Sequence, residues 1–117
     1  MRVLVREPIA EAGIALLRAK FEVDEDQTTP IEEIIGNYDA IVIRSATKLT
    51  AELIDAAANL KMIGRAGVGV DNVDLAAATR RGVLVMNSPG GNTISTAELA
   101  VALMLALHHK VVDAHAH

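Results

Sequence analysis

Cysteine and tryptophan are absent from this 117-residue chain, and the only aromatic rings are Phe21 and Tyr38. The lack of cysteine excludes a disulfide framework and a thiolate-ligated metal, and it fits a reducing cytoplasm. The shortage of rings leaves no platform on which bases or a flavin could stack, which counts against single-stranded nucleic acid as a ligand. An excess of positive charge is missing too. Eleven Lys plus Arg stand against 15 Asp plus Glu, a net charge of −4, which argues against nucleic acid or an anionic membrane as the main partner. No basic-then-apolar leader of the signal-peptide kind is seen at the N-terminus. The longest apolar run, residues 99–107, is far short of the roughly 20 residues of a membrane span.

What the chain has is aliphatic side chains: 51% of it is hydrophobic, so the core must be built from Val and Ile in strands and Leu and Ala in helices. The length suits one domain, since domains cluster at roughly 100–150 residues. Short β-branched runs alternate with helical stretches. Strands are expected at 2–6, 21–24 (polar, at an edge), 40–44, 60–65 and 83–86. Helices are expected at 10–20, from Thr29-Pro30 onward, at 51–58 capped by Thr50, at 73–80 stopped by Gly82, and from about 93 to about 110. Five β-α repeats imply a parallel sheet with right-handed crossovers. The expected fold is a flavodoxin-like, doubly wound, five-stranded α/β domain of strand order 2-1-3-4-5 over residues 1–110, with 111–117 as a tail foreign to it.

Open parallel sheets bind ligands outside the carboxyl ends of their strands. The loops there are Arg44-Ser-Ala-Thr-Lys48, Arg65-Ala-Gly-Val-Gly-Val-Asp-Asn72 and Asn87-Ser-Pro-Gly-Gly-Asn-Thr93. Singly, an Arg or Gly at a strand end does no more than meet solvent. Together, Arg44, Ser45, Arg65, the Gly67–Gly69 turn and Asn92 converge on one edge and describe an anion site for a carboxylate or phosphate. The Gly67-Val-Gly69 pair is not a dinucleotide fingerprint: Asn72 stands where the third glycine belongs, and the pair follows the fourth strand. The loop Arg6-Glu-Pro-Ile after the first strand has no phosphate cradle, which disfavours a flavin site. Arg44 stands where a phospho-receiver needs an Asp. The histidines, His108, His109, His115 and His117, include an H-x-H pair, but without further ligands the tail is read as no metal site.

Three segments carry a resemblance: Val42-Ile-Arg-Ser-Ala-Thr-Lys48, Ile63-Gly-Arg-Ala-Gly-Val-Gly-Val-Asp-Asn-Val-Asp74, and Val85-Met-Asn-Ser-Pro-Gly-Gly-Asn-Thr-Ile-Ser-Thr-Ala-Glu98. In order and spacing they closely resemble the D-2-hydroxyacid dehydrogenase family, in particular its members that oxidise 3-phosphoglycerate to phosphohydroxypyruvate with hydride passing to NAD, in serine biosynthesis. The resemblance implies the N-terminal part of the substrate-binding domain. It also implies substrate contacts from Arg44, Ser45, Arg65, the backbone of Gly67, Val68 and Gly69, and Asn92. In the family that turn holds the α-carboxylate, Val68 also approaches the nicotinamide, and arginines of the set hold the phosphate. The family's dinucleotide-binding domain and its catalytic Arg, Glu and His have no counterpart in the chain. The expectation is therefore a substrate-domain fragment, natural or engineered, that folds, binds no cofactor by itself and carries no catalytic residue. The alternative is a stand-alone module for a small anion. The apolar segment 93–110 is expected to fold back over the sheet, or to drive a homodimer or a helix swap.

Overall fold

The structure, a computed structural model, describes residues 1–66 and 71–88, together with Glu98, Val101, Ala102 and Leu105. Five parallel strands form one sheet: β1 (Arg2–Val5), β2 (Glu22–Glu25), β3 (Ala40–Ile43), β4 (Met62–Ala66) and β5 (Leu84–Ser88), in the order β2-β1-β3-β4-β5. That is the flavodoxin-like order expected. The helices are α1 (Glu11–Arg18), α2 (Ile31–Ile34, running into a 3₁₀ turn at Ile35–Asn37), α3 (Ala51–Ala56) and α4 (Leu75–Arg81).

Side chains alternate across each strand, so the near-continuous apolar runs of β1 and β3 feed two cores at once. One core joins Leu4, Ile41, Ile43 and Ile63 to Leu49, Ile54 and Ala57 around α3 and to Ala77 and Ala78 of α4. The other joins Val3, Val5, Ala40, Val42, Met62 and Met86 to Leu17 of α1. Most of the segment expected as a long helix, 93–110, lies outside the described residues. Its residues Glu98, Val101, Ala102 and Leu105 are helical, and Val101 packs against the second core. No helix among the described residues is long and apolar enough to cross a membrane.

The edge strand β2 is exposed and acidic, which blunts it against pairing with other chains. Arg2 and Tyr38 clip it to the sheet. The Arg2 guanidinium lies 2.9 Å from Asp24 and 4.9 Å from the centre of the Tyr38 ring, and the Tyr38 hydroxyl donates to Asp24 Oδ2 at 2.8 Å. Burial and the Asp24 carboxylate push the Tyr38 phenol up to about 12. The hydroxyl of Tyr38, then Arg2, hold Asp24 below the usual carboxylate range.

The start of α3 follows its sequence signal, that of α4 falls two residues later than expected, behind an Asp74 cap, and that of α2 has no side-chain cap. Thr50 accepts from the Leu53 N–H, and Asp74 accepts from the Ala77 N–H at 2.9 Å. At α2, however, the capping position is Pro30 and no side chain caps it. The Thr29 hydroxyl instead donates to Asp26 Oδ2, and Asp26 Oδ1 accepts the N–H groups of Thr28 and Thr29. The local turn wins Thr29 from the helix. Gly82 ends α4 in the left-handed region at φ 69°, and Arg81 reaches back to the Ile54 and Asp55 carbonyls near the end of α3. A Cβ at Gly82 would meet nothing within 4 Å, so its cost is conformational alone. Gly82→Ala should lower stability by about 1–2 kcal/mol in urea unfolding, and an unchanged midpoint would contradict the left-handed stop.

Candidate functional site

β1 and β3 are neighbours, and β1 has β2 on its other side, so the chain reverses its winding at the β1–β3 seam. The Arg6 N–H donates to the Val42 carbonyl at 3.0 Å and carries the ladder one bond past β1. The next residue, Glu7, turns inward and is 8% exposed. Its carboxylate receives the loop after β3: Oε2 accepts from the Arg44 N–H (2.5 Å) and the Thr47 N–H (3.1 Å), and Oε1 from the Ala46 N–H (3.0 Å). Burial pushes this carboxyl up, but the Arg44, Ala46 and Thr47 amides and the Thr47 hydroxyl outweigh it and leave it below its ordinary value. The loop thus forms a nest of N–H groups around an anion that the chain itself supplies.

On the other side of the same loop stands Asn72. Its Nδ2 donates to the Arg44 carbonyl and the Thr47 carbonyl, both at 2.7 Å, and its Oδ1 accepts from Arg65 Nε at 2.5 Å. The reverse assignment of the amide would set a donor against the Arg65 N–H, so the network fixes its orientation. The backbone joins in: the Leu49 N–H donates to the Asn72 carbonyl and the Asp74 N–H to the Leu49 carbonyl, forming the bridge between Leu49 and Val73. Arg65 is 5% exposed. It is held at the end of β4, in register with Ile43 on one side and Asn87 on the other, and its Nη2 lies 3.9 Å from the Asp71 carboxylate.

The structure therefore brings three of the expected residues to one edge. Arg65 is buried there, whereas Arg44 and Ser45 stand exposed on the loop that Glu7 and Asn72 hold. Arg44 makes one long contact, 3.4 Å, to the Pro8 carbonyl. Gly67, Val68, Gly69 and Asn92 lie outside the described residues, as does the histidine tail. Among the described residues no group of three or more His, Cys, Asp or Glu could hold a metal. Asn87 adds a feature not expected from sequence: its Oδ1 is buried and has no hydrogen-bond partner among the described residues, at the position in register with Arg65. Glu7 and Asn72 were not among the candidates either. The signal for Glu7 was a lone carboxylate directly after a buried strand. For Asn72 it was a carboxamide three positions after Gly69, where a fingerprint would have glycine.

The carboxyl edge of the parallel sheet thus carries two arginines and a hydroxyl. Comparison with known proteins gives the class. The profile of the D-isomer specific 2-hydroxyacid dehydrogenase catalytic domain matches residues 3–114, and the chain belongs to that family. Within it, the D-3-phosphoglycerate dehydrogenase of Archaeoglobus fulgidus is 57% identical over 118 residues, covering 97% of this chain and 22% of that protein. The D-3-phosphoglycerate dehydrogenase of Synechocystis sp. is 50% identical, over 97% of this chain and 21% of its own length. The chain thus spans about a fifth of the curated relatives it matches. Among solved structures, a protein of Thermus thermophilus superposes with a TM-score of 0.71 at 34% identity, over 99% of this chain and 39% of that one. The NAD⁺-bound 3-phosphoglycerate dehydrogenase of Entamoeba histolytica gives 0.65 at 32% identity, over 77% and 33%.

Glu7→Gln replaces an acceptor by a donor facing backbone N–H groups. It should cost about 1–3 kcal/mol at neutral pH, the desolvation cost of a buried donor left unpaired. Because the folded carboxyl titrates below the ordinary value of 4.5, its contribution is complete above that value and fades as pH falls through the folded one. The stability gap between parent and variant, read by urea unfolding across pH, should therefore close in acid. A gap that persists or widens there would refute the ionised nest.

Proposed function

We propose that this chain is the substrate-holding part of a NAD-dependent D-3-phosphoglycerate dehydrogenase, acting in the cytoplasm, and that it folds and binds the hydroxy acid without turning it over alone. The observation that carries the proposal is Arg65, buried at the carboxyl edge and locked by Asn72 to the loop bearing Arg44 and Ser45. The names of the relatives support the substrate. Phosphoglycerate offers a carboxylate and a phosphate, and charge-assisted bonds from two guanidinium groups, with a hydroxyl from Ser45, suit such an anion. Gly67, Val68, Gly69 and Asn92 complete the same proposal through backbone and amide donors.

The described residues do not fit a dinucleotide. A pyrophosphate seated on the first strand–helix turn needs glycine and free backbone N–H groups. Here that turn carries Glu7 and Pro8, and the amides nearest the winding reversal already hold the Glu7 carboxylate. No step of hydride transfer is assigned to them, and the role of this part is to bind and orient the acid. The comparisons lend no support to a stand-alone module for a small anion.

Titration of the chain with 3-phosphoglycerate, followed by calorimetry and by backbone NMR, should show saturable binding in the millimolar range. Arg44→Ala, a change at an exposed residue, should weaken it about tenfold, the worth of one charge-assisted hydrogen bond. Absence of binding at millimolar ligand would overturn the proposal, and reduction of NAD by the chain alone would overturn its second half. Self-association through residues 93–110, as a homodimer or an exchanged helix, belongs to the same proposal. A single monomeric mass in light scattering from micromolar to millimolar protein would remove it.

A further inference from the structure

We infer that Asn72 is a positioning residue, the joint that sets the guanidinium of Arg65 and the Arg44–Thr47 loop relative to each other. This rests on the substrate-holding reading above and goes beyond it, because Asn72 is not one of the residues expected to touch the acid. The inference comes from how the carboxamide is used. Its two donors go to two carbonyls of one loop, Arg44 and Thr47, and its acceptor goes to a residue on a different strand.

Each bond fixes something different. A guanidinium is rigid and planar, so an acceptor at Nε sets the tilt of the whole group. The paired donors close the loop on the side opposite Glu7, whose carboxylate takes the amides of Arg44, Ala46 and Thr47. The loop is thus gripped by its N–H groups from one side and by its carbonyls from the other. Only the second grip is shared with Arg65. Neither near relative of Asn serves both ends: Asp, of the same length, keeps the acceptor and loses both donors, and Gln moves the oxygen and the nitrogen outward by a methylene.

The consequence is a coupling that distance alone would not produce. Arg65 lies on β4 and Glu7 follows β1, two strands apart in the sheet, yet both act on the same loop. Loosening the loop at Glu7 should therefore be felt at Arg65 through Asn72.

The test uses the isotopically labelled chain and three variants. In the parent, the Arg65 Nε–H and the amides of Arg44, Ala46 and Thr47 should exchange slowly with solvent. In Asn72→Asp the Arg65 Nε–H should stay protected, since its acceptor remains, whereas the loop amides should exchange about tenfold faster or more, as expected for loss of one to two hydrogen bonds. In Asn72→Ala both should be lost. Glu7→Gln, which leaves Asn72 in place, should still shift the Arg65 Nε–H resonance, so the inference stays testable even if Asn72→Ala fails to fold. A merely structural role would speed the loop amides and those of β1 and β3 by the same factor. That result, or an Arg65 signal unmoved in both Asn72→Ala and Glu7→Gln, would overturn the inference. Titration with 3-phosphoglycerate separates the two readings. If the parent binds and Asn72→Asp binds equally well, the joint is wrong and the substrate reading stands. If the parent does not bind, the substrate reading fails, and the exchange pattern still decides the joint.

Discussion

A carboxylate taken out of water must be given donors, and the fold satisfies this at Glu7 with backbone N–H groups of a single loop. Much of the site follows from that one requirement. The loop after β3 has to curl so that the Arg44, Ala46 and Thr47 amides point inward. Its carbonyls at Arg44 and Thr47 are then met by Asn72. The exposed Arg44 and Ser45 side chains stand on a backbone held from both sides.

The same arrangement separates two kinds of anion binding that sheets of this type can offer. Where the winding reverses, backbone dipoles are aimed at a negative charge that is part of the chain. One and two strands further along, at the ends of β3 and β4, charged side chains are presented instead. The β1–β3 seam is thus filled by the chain's own carboxylate, and the guanidinium of Arg65 stands two strands away at the end of β4.

The architecture was legible because its signals are local and repeated. Fully apolar Ala40–Ile43, polar Glu22–Glu25, Thr50 as a cap and Gly82 as a stop each mean the same thing in the sequence as in the fold. Boundaries moved where a side chain had two possible partners, as at Thr29, which bonds Asp26 instead of capping α2. Of the site, Arg44, Ser45 and Arg65 were legible from strand ends and from the family resemblance. Glu7 and Asn72 were not, because most of their partners are main-chain atoms some 25 to 40 positions away, and a main-chain N–H or carbonyl leaves no mark in the sequence. Asn87 escaped for a related reason: the burial of one oxygen depends on what packs around a strand end.

Arg81 offers a last consequence. By donating from α4 to the Ile54, Asp55 and Ala57 carbonyls, it closes the tail of α3 with a side chain of another helix, while Leu49 and Val73 bridge the loops ahead of the same two helices. α3 and α4 are thus fastened at both ends and cannot fray one at a time. Local opening of either helix must therefore break bonds to the other, and the Asn72 carbonyl is part of the bridge ahead of them. The loop that carries Arg44 and Ser45 is thus tied, through Leu49 and Asn72, to a helix pair on the flank of the sheet.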